Sequence, residues 1–474
     1  MGRRLNNSVF SYLIILICRY ITWSLPFLLL LSCLEPTLIP PDNRLIAVTP
    51  EKYDSPHNSD SIVLDQYWWQ IFNDPGLNQL IEESLHDNFS LKQYHARLRQ
   101  SYAVARKLDA RLYPELSADI SYDKIYNRER ADQDALFVGL RISWELDLWD
   151  RLSSAAEAAR FDALSSQEEL EAAALLLTSE IASNYYRIIE RSSQYRLLQK
   201  QLQTNQKTLE ILRLRFSYGG SSLIDIYQQQ EQLVATRAGV PQVLSELTLL
   251  RYRLSVLLGK SPEQRLLVDN EALLPELPPL PGLGVPADLL LNRPDLRIIK
   301  NLLQAAGYRI DEARADQMPR ITIGSRGGLR GSGLRSDDLF ISLIGGLVAP
   351  IFDAGERASE VERTEAVLDE LTARFNQTFL VAIEEVQSAL WREKNQLTLI
   401  ATKKEQLEVA RSALLESQKR YLHGVSDYLP VLTALYSTQR LEREVISLQT
   451  DLILIRVQLC QAIGSSSPLS ELLL

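Results

Sequence analysis

Two stretches of the chain, residues 151–218 and 356–423, contain neither glycine nor proline. Each is rich in Ala, Leu, Glu, Gln and Arg, which favour the α-helix, and at 1.5 Å per residue each helix would be roughly 100 Å long. No single globular core has that length, so each helix needs neighbours along all of it, as in a coiled coil. The stretches are equal in length and start 205 positions apart, which predicts an internal repeat of about 205 residues.

Each long helix is predicted to end at a glycine-containing turn, after which the chain returns as a second helix. In the first return helix, Gly239 and Pro241 interrupt the helical pattern, so we expect a kink or a break there. The predicted return helices are residues 221–258 and 426–463, and the complete hairpins are residues 151–259 and 356–463.

Alternation of apolar and polar residues, strict in the first half of the chain and less clean in the second, predicts β-strands ahead of each long helix. The two strands of the first half have lengths that suit a membrane-spanning strand, with one apolar and one polar face. A soluble sheet with one face on a core would alternate in the same way. The order of the elements favours the membrane barrel, because each strand pair leads directly into a long helix. The predicted strands are residues 115–125, 136–148, 320–326 and 339–349, and the glycine-rich segment 326–338 is predicted to be the loop between the last two.

Four strands cannot close a membrane barrel alone, because an open edge in lipid leaves backbone groups unpaired. The protein must therefore assemble: two, three or four copies would give eight, twelve or sixteen strands. An eight-stranded interior is largely filled by side chains, so a conducting duct favours three copies or more. These observations leave the copy number open.

The N-terminal segment has the pattern of a bacterial lipoprotein signal. Arg3 and Arg4 precede an apolar stretch that ends in Ser32-Cys33, and a small residue directly before a cysteine is typical of the cleavage box. Residues 1–32 are therefore predicted to be a signal peptide and residues 33–63 an extension lipidated at Cys33. The alternative is an uncleaved membrane anchor, which Arg19 within the apolar stretch makes costly.

Composition argues against several other classes of function. The net charge is −9, and Lys and Arg are not clustered, so no nucleic-acid partner is expected. The three cysteines and four histidines are scattered, without metal-ligand spacing. No catalytic triad, paired-carboxylate site or nucleotide-binding glycine loop is recognisable. We expect no enzyme activity, no metal and no cofactor other than the lipid at Cys33.

Two groups of residues carry a resemblance to a known family. The first begins at Trp68-Trp69 and the second centres on an Arg-Pro-Asp-Leu-Arg sequence at 293–297. With the repeat, they resemble the TolC-like outer-membrane efflux proteins, in particular their lipoprotein branch of NodT and OprM type. The matching residues are Trp68, Trp69, Phe72, Asp74, Pro75, Leu77, Leu80, Asn88, Leu91, Ala96, Arg97, Val285 to Leu290, Arg293 to Arg297, Gln304 to Ala306, Ala313, Arg314 and Pro319.

The resemblance implies a membrane α+β fold. Three protomers would form a twelve-stranded outer-membrane β-barrel, with four strands from each, continuous with a twelve-helix periplasmic α-barrel and girdled by a mixed equatorial region. The chain would lie in the outer membrane, lipid-anchored and extending into the periplasm. The implied division is a first repeat at 64–264, a proline-rich linker at 265–284, a second repeat at 285–464 and a tail at 465–474.

The resemblance also implies a passive duct in a tripartite efflux system. A periplasmic adaptor would join the homotrimer to an inner-membrane pump, and the duct would export drugs or other small amphipathic compounds. Two alternatives remain: an outer-membrane duct for ATP-driven type I protein secretion, and, from another class, a lipid-anchored periplasmic coiled-coil scaffold.

Candidate site residues fall into two groups. In the family, the hairpin tips contact the adaptor, and carboxylates after the second tip often narrow the pore; here those acidic positions fall on Pro430 and Thr433. Asp225 and Asp427 lie near the tips, but either could simply stabilise a helix N-terminus. The tip residues are Gly219, Gly220, Ser221, Asp225, Gly424, Val425, Ser426, Asp427 and Pro430, and the residues expected to line the barrel lumen are Asp119, Arg141, Glu145 and Asp147.

Five aromatic residues are assigned more generally. Tyr122, Trp144 and Trp149 are candidates for membrane-interface anchors or for packing. Trp68 and Trp69, in contrast, are expected in the core of the equatorial region.

Overall fold

The computed structural model describes residues 67–126, 133–263, 271–277, 280, 293–331 and 339–464. The predicted signal peptide, the lipidation site Cys33, the extension up to residue 63 and the tail from residue 465 lie outside the described residues, as does most of the predicted linker.

Each half of the chain contains the same series of elements: helix, two strands, a very long helix and a return helix. The first half has a 3-10 turn Trp68–Phe72, α1 Pro75–Asp87, α2 Phe89–Asp109, a 3-10 turn Ala110–Leu112, β1 Glu115–Ile125, β2 Gln133–Leu146, α3 Arg151–Ser217 and α4 Leu223–Leu257. The second half has α5 Pro294–Ala315, β3 Arg320–Gly331, β4 Leu339–Val348, α6 Glu356–Leu422 and α7 Leu429–Ile463.

The two hairpins are equal in length but are not quite in phase. Both α3 and α6 have 67 residues and start 205 positions apart, and both α4 and α7 have 35 residues but start 206 positions apart. The extra position lies in the second tip turn, which runs from residue 423 to 428, whereas the first runs from 218 to 222. The predicted repeat is therefore confirmed, with one added residue at the second tip.

Of the kink or break predicted in the first return helix, the break is wrong, because α4 continues through Gly239 and Pro241. Pro241 removes the hydrogen bond to the carbonyl of Arg237. Both residues are exposed, so water can hydrate that carbonyl. Thr236 and Val243, on either side of the interruption, are buried, and this packing holds the helix together.

The strands form one antiparallel sheet in the order β1-β2-β3-β4. The β2–β3 pairing joins the two repeats, and β1 and β4 are its edges within the protomer. β3 extends to Gly331, five residues beyond the predicted strand end, so the start of the predicted loop is part of the ladder. The reason is that Gly327 and Gly328 pair with Leu140 and Gly139 of β2, a close approach that glycine permits.

One face of the sheet presents a band of exposed apolar side chains. Adjacent strands contribute Leu116, Ile120, Leu140, Ile341 and Leu343, each more than half exposed. A sheet with an apolar outer face and two unpaired edges suits a barrel closed by neighbouring protomers in lipid.

The largest core lies where α1 and the 3-10 turn pack against α3. Trp68 and Trp69 are each 1% exposed, which confirms their predicted place in a core. Trp68 Nε1 donates to Thr178 Oγ1 at 3.2 Å. Asn88 caps α2 through the backbone N–H groups of Ser90 and Leu91, and its Nδ2 donates to the carbonyl of Leu257 at 2.8 Å. This contact fastens the equatorial helices to the base of the first hairpin.

The Arg-Pro-Asp-Leu-Arg sequence clamps the two repeats together. Arg293 makes two bonds to Asp295, of 3.0 and 2.7 Å, and also donates to Glu385 Oε2 at 2.6 Å and to the carbonyl of Ala462 at 2.9 Å. Arg297 donates to Glu168 Oε2 of α3 at 2.7 Å. The start of α5 is thereby bound to both hairpins, which gives this sequence a structural role.

Candidate functional sites: the helical tips and the barrel lumen

The first tip turn closes α3 with a Schellman motif. Gly219, with φ of 75°, donates to the carbonyl of Phe216 at 3.0 Å, and Gly220 donates to the carbonyl of Arg215 at 2.8 Å. The left-handed conformation at Gly219 favours glycine. Ser221 Oγ then donates back to the carbonyl of Leu212 at 3.1 Å, so the turn folds onto the end of the helix.

The second tip turn uses the same motif. Gly424, with φ of 72°, donates to the carbonyl of Tyr421 at 3.1 Å, and Val425 donates to the carbonyl of Arg420 at 2.9 Å. Two turns of different sequence and length therefore end their helices with the same backbone hydrogen-bonding motif.

The two return helices start differently. Ser222 and Asp225 form a capping box at α4: Asp225 N donates to Ser222 Oγ at 3.3 Å and Ser222 N donates to Asp225 Oδ2 at 2.9 Å. The Asp225 carboxylate thus has the ordinary helix-terminal role. At α7 no side chain caps the helix, and Pro430 lies in its first turn. Asp427 is exposed just before that helix.

A shared apolar core lies directly beneath the tips. Tyr421 and Tyr428 pack edge to face with ring centroids 5.4 Å apart, and the Arg215 guanidinium lies 4.8 Å from the Tyr421 ring. Burial raises the pKa of the Tyr428 phenol well above its usual range. Its hydroxyl donates to Gln229 Oε1 of α4 at 2.6 Å. The second tip is therefore held against the first hairpin.

A buried polar seam continues this contact away from the tips. Gln439 Nε2 of α7 donates to Asn205 Oδ1 of α3 at 2.8 Å, and Asn205 Nδ2 donates to Thr236 Oγ1 of α4 at 2.9 Å. Gln201 Nε2 donates to the carbonyl of Gln439 at 3.1 Å and Arg443 donates to Gln201 Oε1 at 2.6 Å. Because buried polar groups are costly when unpaired, this seam fixes the register between the hairpins.

The polar face of the sheet carries the predicted lumen residues Asp119 and Arg141. Arg141 forms an ion pair with Asp119 Oδ2 at 2.6 Å. Sequence reasoning did not single out Arg326, which lies directly opposite Arg141 in the ladder, because it was the boundary residue between the predicted strand 320–326 and the predicted loop 326–338. The alternation of apolar and polar residues is less clean in this strand than in β1 and β2, so it did not mark Arg326 as a residue of the polar face.

The other two predicted lumen residues are engaged at the junction between strand and helix. Glu145 pairs with Arg151 at 2.7 Å, at the start of α3. Asp147 lies beyond the end of β2, and its carboxylate accepts from Leu152 N at 2.9 Å and from Ser153 N at 2.7 Å. Asp147 therefore stabilises the N-terminus of α3, and we leave it out of the proposed lumen lining.

The tryptophans predicted as anchors or packing residues lie at the same junction. Trp144 Nε1 donates to the carbonyl of Leu112 at 2.9 Å, and Trp149 Nε1 donates to the carbonyl of Pro319 at 2.8 Å. Tyr122 is 60% exposed on β1. In the part of the chain that the structure describes, no group of three or more His, Cys, Asp or Glu residues could hold a metal ion.

The four strands, the long hairpins and their tips define a protomer of a membrane duct, and comparison with known proteins identifies its family. Residues 80–260 and 285–465 each match the model of the outer membrane efflux protein family. The chain is 28% identical over 450 residues, 92% of this chain and 95% of the relative, to the pyoverdine export outer membrane protein OpmQ of Pseudomonas putida. It is 25% identical to the probable outer membrane lipoprotein SilC of Salmonella typhimurium, with coverage of 85% and 90%.

The structure also superposes on the outer-membrane channel OprN with a TM-score of 0.84 and 26% identity, covering 90% of this chain and 98% of that one. The chain belongs to the outer membrane efflux protein family. It is a protomer of a trimeric outer-membrane efflux channel, in which twelve strands form the membrane barrel and twelve long helices form the periplasmic barrel.

Proposed function

We propose that this channel is the outer-membrane component of a tripartite pump, that its helical tips contact a periplasmic adaptor, and that it exports small amphipathic organic compounds. An inner-membrane pump supplies the energy through the adaptor. The relative OpmQ is named for the export of pyoverdine, a precedent within the family for an organic substrate.

The exposure of apolar side chains at the tips is the observation that carries the adaptor proposal. At the first tip Tyr218 is 83% exposed, and at the second tip Val425 is 65% exposed. Apolar groups clustered on a water-exposed surface are typical of a docking site, and the core beneath them holds both turns in place. The other exposed apolar residues around the tips are Phe216, Leu223, Ile224, Tyr227, Leu422 and Leu429.

A charge placed at the second tip should separate docking from channel formation. Val425→Asp puts a carboxylate in the proposed contact, whereas Val409→Asp makes the same change at an equally exposed valine (64%) on α6. In cells that carry the native adaptor and inner-membrane pump, we expect Val425→Asp to abolish dye export. The yield of trimer and its conductance in planar bilayers should stay unchanged. Val409→Asp should export normally. Equal export by Val425→Asp and wild type would refute the tip contact.

We also propose that Cys33 carries the lipid anchor, with the described part of the chain extending from it into the periplasm. SilC, named an outer membrane lipoprotein, supports this. Radiolabelled palmitate should enter the wild-type protein but not a Cys33→Ser variant, and label retained by that variant would contradict the assignment.

Protein secretion by an ATP-driven exporter remains the competing function. Loss of dye export on deletion of the channel gene supports the efflux proposal. Loss of one secreted protein, with dye export intact, would favour the competitor.

A further inference from the structure

Two arginines face each other on the polar side of the sheet. Arg141 of β2 and Arg326 of β3 are direct partners in the antiparallel ladder. Like charges in this position normally destabilise a strand pair. Asp119 of β1 lies between them, with its Oδ2 2.6 Å from the Arg141 guanidinium and 4.0 Å from Arg326 Nε. One carboxylate thus serves two cations, which leaves a surplus positive charge.

An aromatic ring holds the second arginine in place. Phe137 is 2% exposed, and its ring centroid lies 4.0 Å from the Arg326 guanidinium carbon. The ring lies over Gly139 and Gly328, because an added Cβ would come within 2.4 Å of it at Gly139 and within 2.8 Å at Gly328. Because the two glycines make room for the ring, the position of Arg326 is built into the register of β2 and β3.

The arginines nevertheless remain accessible from the polar face. Their side chains are 49% and 32% exposed for Arg141 and Arg326, respectively. Arg326 Nε is itself buried and, among the described residues, has no hydrogen-bond partner. The donors that an oxyanion could reach therefore lie on the exposed part of each arginine side chain, and a guanidinium held in place is suited to binding an oxyanion.

The remaining described charges on this face lie to either side of the arginine pair. By strand alternation, Arg330 and Asp123 lie toward one end, and Glu115 and Glu145 lie toward the other. Arg330 and Asp123 offset each other, and Glu145 is paired with Arg151. Arg320, the last of these charges, is paired with Asp316. Glu115 lies one step along the ladder from the pair and balances the surplus over the face as a whole, so the excess of positive charge is confined to the level of Arg141 and Arg326.

We propose that Arg141 and Arg326 form an anion site on the lumen wall, repeated three times in the trimer, which binds carboxylate groups of passing solutes and raises the anion permeability of the barrel. Asp119 and Phe137 are its positioning residues. The proposal rests on the function proposed above, since it requires that the trimer form a conducting duct.

Reversal potentials in a KCl gradient across planar bilayers test the charge of the proposed site, which comprises Arg141 and Arg326 of all three protomers. Arg326→Gln and Arg141→Gln each remove three positive charges from the lumen. In a water-filled lumen about one Debye length in radius, each should lower the chloride-to-potassium permeability ratio about threefold, and less at 1 M salt. Asp119→Asn should raise the ratio. The matched control is Arg99→Gln, at an exposed arginine of α2 outside the sheet, which should leave the ratio unchanged.

Block of the current by phthalate, a dicarboxylate, tests whether the arginines bind a carboxylate directly or only attract anions by their charge. Arg326→Lys keeps the charge but loses the planar fork and its stacking on Phe137. It should preserve the permeability ratio while raising the half-blocking phthalate concentration about tenfold, the loss expected for a charge-assisted hydrogen bond.

The two proposals fail in different ways. A wild-type trimer that conducts no current refutes the duct itself. A conducting trimer whose permeability ratio is the same in Arg326→Gln, Arg141→Gln and Asp119→Asn overturns the anion site and leaves the duct intact. Equal phthalate block in wild type and Arg326→Lys would overturn the carboxylate site.

Discussion

Replacing Arg456 by leucine is expected to destabilise the second hairpin by about 3–5 kcal/mol in each protomer. Arg456 of α7 makes two hydrogen bonds to Glu393 of α6, of 2.8 and 2.6 Å. The side chains of Arg456 and Glu393 are only 1% and 4% exposed. Removing the arginine leaves a carboxylate buried without this partner, and desolvation of a lone charge is far more costly than the pair is favourable.

The corresponding positions of the first repeat show which apolar residues could replace both Arg456 and Glu393. The position 205 residues before Glu393 is Ile188, and the position 206 residues before Arg456 is Leu250. These are the offsets of α6 from α3 and of α7 from α4. Ile188 is fully buried, and Leu250 packs against the same core. The first hairpin thus has an apolar pair where the second has an ionic one.

The double variant Glu393→Ile with Arg456→Leu should therefore recover most of the loss. We expect it to lie within about 2 kcal/mol of the wild type, because a buried ion pair contributes little more than a well-packed apolar pair. The coupling energy between the two substitutions should be several kcal/mol.

Urea unfolding in detergent, followed by tryptophan fluorescence, measures these differences. The protein concentration must be the same throughout, because the apparent stability of a trimer depends on it. A loss below about 1 kcal/mol for Arg456→Leu would refute the reasoning about the buried charge. A double variant as unstable as the single one would refute the claimed equivalence of the two hairpins.

Two further predictions follow from the structure. Burial raises the pKa of the Cys460 thiol to about 12 from an ordinary value of 9.0, so Cys460 should resist maleimide at pH 7.5 until the chain unfolds, as peptide mass spectrometry can show. Above about pH 9 the unfolded chain releases the thiol proton of Cys460 and the folded chain retains it. The free energy of unfolding should therefore fall as pH rises from about 9 to 12, by up to about 1.4 kcal/mol per pH unit. A Cys460→Ala variant that loses as much stability as the wild type over this pH range would contradict this. Gly259→Ala should destabilise the base of the first hairpin more than Gly424→Ala destabilises the second tip, although both glycines have positive φ. At Gly259 the new Cβ would lie 2.6 Å from the carbonyl oxygen of Asp87, whereas at Gly424 nothing lies within 4 Å of it. The tip substitution should cost about 1–2 kcal/mol, and equal losses in thermal unfolding would refute the steric argument.

The long elements could be predicted from sequence because their signals are local. The absence of glycine and proline marks α3 and α6, and alternation marks β1 and β2. β3 was cut short because Gly327 and Gly328 look like loop residues, whereas both pair within the ladder and Gly328 lies under the ring of Phe137. That relation joins residues nearly two hundred positions apart and depends on strand register, which no local pattern reveals.

The candidate sites were predicted less completely, for a related reason. Carboxylates near helix starts have two possible roles, and only the geometry shows that Asp147 and Asp225 are engaged by backbone N–H groups. Asp316 was not singled out, although it pairs with both Arg320 and Arg357 where β3 and α6 begin. Its partners are distant in sequence or assigned to other elements, so nothing in its own neighbourhood marks it.

The two repeats have retained the same helix lengths while their chemistry has diverged. Equal lengths are required, because hairpins of unequal length would leave gaps in a barrel of twelve helices. The contents of a matched position are less constrained: an apolar pair at Ile188 and Leu250 corresponds to the ion pair of Glu393 and Arg456. The same holds at the tips, where a capping box begins α4 but Tyr428, bonded across to the other hairpin, begins α7. Two kinds of tip therefore alternate around the periplasmic end of the trimer, so an adaptor that docks there meets two distinct surfaces in each protomer.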